Sequence, residues 1–237
     1  MRLILILMLL SVSGPVQAQE LSINLGDESS LTTRSIQLLL LITVLSIVPG
    51  LAVMITCFPF IVTVLSILRQ AIGLQQSPPN MLIVSLALFL TWFVMDPVFT
   101  EAWIAGLEPL SRGALELQPA LTATLAPFRV FMAARLDPDT FSALQALRPG
   151  ETGAPLEASL SLLVPSFILS EIQKAFEIGF LIFMPFLIID LVVAAVLMSM
   201  GMMMVPPAVV SLPFKLAFFV VADGWALISS ALVRSYF

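Results

Sequence analysis

The sequence predicts an all-α integral membrane protein, built from long kinked helices that pair into hairpins around a small helical insert. Three observations predict it. Of the 237 residues, 59% are hydrophobic and 11% charged, against roughly 25% charged in an ordinary soluble domain. The mean hydropathy is +1.09. Apolar residues also run continuously through several segments of near-spanning length, without the period-two alternation that marks a strand. The same composition narrows the chemistry. With a net charge of −5 and no basic run, nothing supports nucleic-acid binding. Cys57 is the only cysteine, which rules out an intrachain disulfide, and histidine is absent, removing the commonest general base and metal ligand. No catalytic, metal or cofactor site is expected.

Residues 1–18 have the layout of a secretory signal peptide. Arg2 precedes an apolar core, Leu3–Leu10, and Val16-Gln17-Ala18 fits a small-residue cleavage site before Gln19. The alternative is an uncleaved first membrane helix. Residues 19–33 form a short segment expected outside the cytoplasm. Residues 34–100 are the first expected membrane hairpin. Its opening run, Ile36–Leu68, carries no charge and as one helix would measure roughly 50 Å against a hydrocarbon core of about 30 Å. Pro49-Gly50 and Pro59 are the expected helix breaks, giving either one long kinked helix or two shorter pieces. Arg69–Asn80 contains Pro78-Pro79 and reads as a turn, and Met81–Phe99 is the second apolar segment.

Residues 101–171 differ in kind. They hold most of the acidic residues, four arginines and turn signals at Asp137-Pro138 and Pro149-Gly150. Asp137 before Pro138 is an N-cap followed by proline at the first helical position, opening a helix through Leu147. Pro119–Leu136 has apolar residues at helical spacing. Two crossings from an external N-terminus place this insert in the periplasm of a bacterial inner-membrane protein. Residues 172–237 then form a second hairpin, with arms at about Ile172–Met200 and Pro213–Leu232, further breaks at Pro185, Pro206 and Pro207, and a connector at Gly201–Leu212.

Two constellations stand out in that second half. Met198, Met200, Met202, Met203 and Met204 crowd around Gly201, just before Pro206-Pro207. Methionine is unbranched and polarisable, so such a turn is either ordinary packing or a deformable apolar collar around a shared axis. Ionisable residues interrupt the apolar runs. Lys174 and Glu177 are three apart and can neighbour each other on a helix. Lys215 stands in the other arm, where pairing with Glu177 requires a bent arm or a second subunit. Asp190 and Asp223 read as lone buried carboxylates. Ionised groups in hydrocarbon cost several kcal/mol (about 2.5–3.5 on insertion scales), so these face protein or water rather than lipid.

SEIQKAFEIGFLIFMPFLIIDLVVAAVLMSMGMMMVPP from Ser170, followed by LPFKLAFFVVADGW, resembles the FliP family of flagellar type III export-gate proteins and their injectisome counterparts, the SctR family. The run IGLQQSPPNMLIVSLALFLTWFVMDPVF from Ile72, where the family usually has Leu, and PFRVFM at Pro127–Met132 are similar as well, in the same order. The resemblance implies a core channel subunit passing unfolded rod, hook and filament substrates across the inner membrane at the flagellar basal body. It implies a pentamer, FliQ-type and FliR-type membrane partners, and FlhA-type and FlhB-type export components. It implies helices arranged in a pseudo-helical ring raised toward the periplasm rather than simple hairpins. Met202, Met203 and Met204 map onto the family's pore gasket, and Glu177 and Lys215 onto positions of inter-helix or inter-subunit contact.

Two other classes compete. An intramembrane aspartyl protease would use Asp190 and Asp223 as a proton-sharing pair, but the contexts IIDLV and VADGW lack the Gly-x-Gly-Asp pattern of that class. An ion or solute carrier would use broken helices around midplane charges, but the sequence has no internal repeat. No G-x-x-x-x-G-K nucleotide loop occurs, so an export role draws its energy from partners.

Overall fold

The computed structural model describes residues 31–74, 78–148, 150, 152–202 and 204–237. The expected signal peptide, most of the segment after it, the middle of the Pro78-Pro79 connector and Met203 lie outside the described residues. Residues up to Ser46 form one unit and Ile47–Phe237 a second. The described residues fold into helices joined by short turns, with no strand among them.

Helix α1, Leu31–Met54, exposes the apolar side chains of Ile36, Leu39, Ile42, Leu45, Ile47 and Leu51 among others. Pro49 and Gly50 lie inside it, which corrects their assignment as a break. The chain turns instead at residues 55–57, before α2, Phe58–Ile72, with Pro59 in its first turn. Thr56 explains the location. Its hydroxyl donates to the Val53 carbonyl at 2.6 Å and accepts the Phe58 N–H at 3.3 Å, so one side chain serves the end of one helix and the start of the next. In apolar surroundings a proline costs less inside a continuous helix than at an end whose carbonyls find no donor. Pro185 is corrected on the same ground, since it lies within an uninterrupted helix described below.

α2 is the centre of the core. Phe60, Ile61, Val64, Leu65 and Leu68 repeat at helical spacing and are essentially inaccessible. α2 ends on Gly73, which adopts φ 89° and donates its N–H to the Gln70 carbonyl. It packs on α3, Asn80–Ala102, and most extensively on the long helix α7, Leu160–Ser199. α3 runs through a π-helical turn, Trp103–Leu107, into the short α4, Glu108–Ser111. Gly106 in that turn lets α5, Leu117–Arg135, approach closely. A Cβ there would lie 2.0 Å from Thr124 Oγ1 and 2.6 Å from the Ala120 carbonyl oxygen. α6, Pro138–Ala146, is capped by Asp137, whose Oδ2 accepts from the Thr140 N–H and hydroxyl, each at 2.8 Å. The Thr140 backbone N–H, and then its hydroxyl, hold that carboxyl below the usual range.

α7, Leu160–Ser199, is a single helix of 40 residues through Pro165 and Pro185, roughly 60 Å long. The expected division at 171/172 therefore falls inside it. The apolar run begins directly after Ser159, and of the acidic residues that suggested a longer insert only Glu171 lies beyond Glu157. Likewise the division at 100/101 falls within α3. After the methionine turn come α8, Pro207–Val221, and α9, Gly224–Arg234, bent by 61° to each other. Among the described residues, three helices are long and apolar enough to cross a membrane (Ile36–Met54, Asn80–Ser111 and Leu160–Ser199), or four if the bent α8–α9 pair is one span. That agrees with the all-α membrane class and is consistent with an inner-membrane location.

Candidate functional site

The sequence from Leu197 to Pro207 builds a tight reversal from ordinary capping chemistry. Gly201 adopts φ 73°. Its N–H bonds the Met198 carbonyl at 3.1 Å and the Met202 N–H bonds Leu197 at 3.0 Å. This paired closure satisfies the last carbonyls of α7 and needs a left-handed residue, the role glycine fills at no steric cost. Pro206 is the N-cap of α8 and Pro207 its first residue, where a missing N–H costs nothing. The turn is thus fixed at both ends while its side chains are turned out. Met198, Met200 and Met202 are exposed, and Met204 is 98% exposed. Below the turn, α7 and α8 diverge around an apolar trough of about 580 Å³, lined by Ile188, Val192, Val196, Met200, Met202 and Phe214.

About two helical turns down, the two arms are joined by charge. Lys215 Nζ lies 2.6 Å from Asp190 Oδ2 and 3.2 Å from the Ala71 carbonyl oxygen at the end of α2. Ser211 Oγ donates to Asp190 Oδ1 at 2.5 Å. The Lys215 side chain is 7% exposed and that of Asp190 33%. Asp190 is therefore not a lone carboxylate, and Lys215 pairs with it within the hairpin rather than with Glu177. Glu177 is exposed and accepts from Gln173 Nε2 at 3.1 Å. Lys174 turns away from Glu177 and donates to the Arg135 carbonyl. The expected Lys174–Glu177 pair is absent among the described ion pairs, because the end of α5 supplies Lys174 with a nearer acceptor. Asp223 is exposed rather than buried and takes φ 48° at the bend between α8 and α9. The left-handed region is one aspartate tolerates better than most side chains.

A second cluster escaped the sequence reading. Glu171 is fully buried on α7. Its Oε1 receives Arg135 Nε at 2.9 Å and its Oε2 the Tyr236 hydroxyl. Arg135 Nη1 also donates to the Ser235 carbonyl at 2.9 Å, and the guanidinium sits 4.1 Å over the Tyr236 ring. That ring stacks on Phe131 and meets Phe60 edge-on. Burial first, and then the Glu171 carboxylate, push the Tyr236 phenol upward, so it remains a donor. Two signals in the sequence pointed here: Tyr236 is the only tyrosine, and Glu171 opens the long apolar stretch. Among the described residues no group of histidine, cysteine or carboxylate side chains could hold a metal ion.

The FliP family model matches residues 41–232, which include both arms, the methionine turn and all of these charges. The chain belongs to the FliP family. Similar relatives include the flagellar biosynthetic protein FliP of Caulobacter vibrioides, 51% identical over 218 residues, covering 91% of this chain and 81% of that protein. That of Agrobacterium fabrum is 42% identical over 240 residues, covering 99% and 98% respectively. That of Bacillus subtilis is 44% identical over 203 residues, covering 85% and 92%. The three matches cover 91%, 99% and 85% of this FliP-family chain.

Proposed function

We propose that this chain is a core channel subunit of the flagellar protein export gate, passing unfolded substrates across the inner membrane, with the methionine turn as its yielding seal. The observation that carries this reading is the outward methionine turn, whose backbone is fixed by capping while Met198, Met200, Met202 and Met204 stand exposed. Flexible thioethers on a rigid turn can close against equivalent turns and part for a passenger. The exposed apolar surface of α7 supports an assembled state. It runs from Leu169 to Met198, about 44 Å of helix against a hydrocarbon core of about 30 Å. Sister copies and small apolar partner subunits are the natural cover for what lipid leaves. The flagellar names of the relatives favour the flagellar over the injectisome system. The insert, in this reading, lies on the periplasmic side.

The charges do not assemble a protease site. Asp190 is engaged by Lys215 and Ser211, and among the described hydrogen bonds none joins it to Asp223. The test replaces Met200, Met202, Met203 and Met204 together with alanine in the assembled gate. Ion conductance should rise while assembly is kept. Unchanged conductance through a normally assembled gate would overturn the sealing role.

A further inference from the structure

The bent α8–α9 arm is held at two places by charge, and only one of them belongs to the hairpin already described. The first is Lys215 on Asp190. The second lies beyond the end of α9, where Ser235 and Tyr236 close over the Arg135–Glu171 pair. We infer that Tyr236 is the fastening residue of a clasp, formed by its hydroxyl on Glu171 and by Arg135 on the Ser235 carbonyl, that fixes α9 against α5 and α7 and so sets the bend of the arm.

Three features make this more than core packing. The acceptor, Glu171, is fully buried, and a buried carboxylate needs its donors supplied from within the protein. It finds two here, one from α5 and one from Tyr236, so the segment after α9 completes a pair that α5 and α7 leave half-solvated. The contacts are also long-range, joining residues 65 and 100 positions apart. Nothing local in α9 therefore substitutes for them. Finally, local contacts hold the bend only at its corner, where backbone turns close it and Phe219 meets the Trp225 ring edge-on at 5.4 Å. Asp223 sits there at a positive φ without capping α9 through its side chain, and a residue in that region persists when surrounding contacts impose it. Ile228 and Leu232 seat one face of α9 in the core, and the clasp closes its far end.

Lys174 completes the arrangement from the other side. By donating to the Arg135 carbonyl, it satisfies the end of α5 at the residue whose side chain bridges Glu171 and Ser235. The guanidinium over the Tyr236 ring adds a cation–π contact of the kind favoured away from water. One arginine therefore reads both the position of α7 and the position of the segment after α9.

The test uses the full chain in lipid nanodiscs, carrying Tyr236→Phe or Tyr236→Ala, and reads two quantities. In Tyr236→Phe, which keeps the ring and loses the hydroxyl, hydrogen exchange of the Gly224–Arg234 amides should accelerate roughly ten- to hundredfold, the range set by losing a hydrogen bond to a charged acceptor. Exchange at Val64–Leu68 in α2 should stay as it is. Spin labels on cysteines introduced at the exposed positions Val130 and Leu227 should give one narrow distance distribution in the parent, and a broadened one in both variants. Should Tyr236→Ala fail to fold, Tyr236→Phe alone decides. Unchanged exchange and distances in Tyr236→Phe would overturn the clasp, even if Tyr236→Ala were perturbed, because ring packing alone would then be holding α9. Acceleration spread equally over α2 and α9 would overturn it too, since that is loss of the whole fold rather than release of one arm.

Discussion

Lys215 and Asp190 face each other at 2.6 Å with very different exposure, 7% against 33% for the side chains. Removing the two partners should therefore not cost the same. Asp190→Leu strands a buried ammonium with one remaining acceptor, the Ala71 carbonyl at 3.2 Å, and also unpairs Ser211 from its shorter contact. Breaking a buried ion pair from one side costs roughly 3–5 kcal/mol. Lys215→Met leaves a carboxylate that is one-third open to solvent and still accepts from Ser211, so the cost is about 1–2 kcal/mol, that of one hydrogen bond to a charged group reduced by solvent screening. At this chain length 1 kcal/mol moves the thermal midpoint by roughly 2–4 °C. Asp190→Leu should then lower it by roughly 6–20 °C and Lys215→Met by roughly 2–8 °C. The double variant should recover most of the loss, because two apolar residues of similar size replace the pair without stranding either charge. Midpoints of purified protein in one detergent, read by intrinsic fluorescence, supply all four corners of the cycle. Equal losses in the two single variants, or the larger loss in Lys215→Met, would refute the reasoning from burial.

Two further outcomes follow from the packing. Gly106→Ala should be severely destabilising, because its Cβ would meet the Ala120 carbonyl oxygen at 2.6 Å and the Thr124 amide nitrogen at 2.7 Å, both backbone atoms of α5. Gly179→Ala should cost much less, since its nearest contact is the flexible end of Ile67; expression level and thermal midpoint of the pair will rank them. Cys57 should resist maleimide at neutral pH in the folded protein and react only after denaturation. It is inaccessible, and burial above all pushes its thiol up to about 12, leaving almost no thiolate to attack.

The helical class was plain from composition because the signal is collective: dozens of apolar residues agree, and no single one decides. Asp137-Pro138 was equally readable, since an N-cap is local chemistry complete within four residues. Prolines were misleading for the opposite reason. Whether Pro49 or Pro185 ends a helix depends on what would solvate the freed backbone groups, and Thr56, not a proline, held the local answer. The same limit governs the charges. Spacing along a helix put Glu177 beside Lys174 and left Asp190 alone, whereas the fold brings Arg135 to Lys174 and Lys215 to Asp190 across separations of 39 and 25 residues. A sequence shows which charges need partners; only the packing of helices says which partners they find.

That distinction also bears on how the methionine turn is kept in place. The turn itself contributes little to holding its position, because the methionines that give it compliance are exposed. Its location is set from below by α7, one uninterrupted helix, and by α8, locked to α7 through Lys215 and to α2 through the Ala71 carbonyl. Compliance and anchoring are thereby separated along the chain: thioethers at the tip, charges about two turns beneath it, and aromatic and ionic contacts at the far end of the arm. A turn built with charges at its tip would have to desolvate them at each closure, at a cost of several kcal/mol per ion. Thioethers meet no such penalty. In the proposed seal, the ionic groups would stay paired while the apolar tip makes and breaks its contacts.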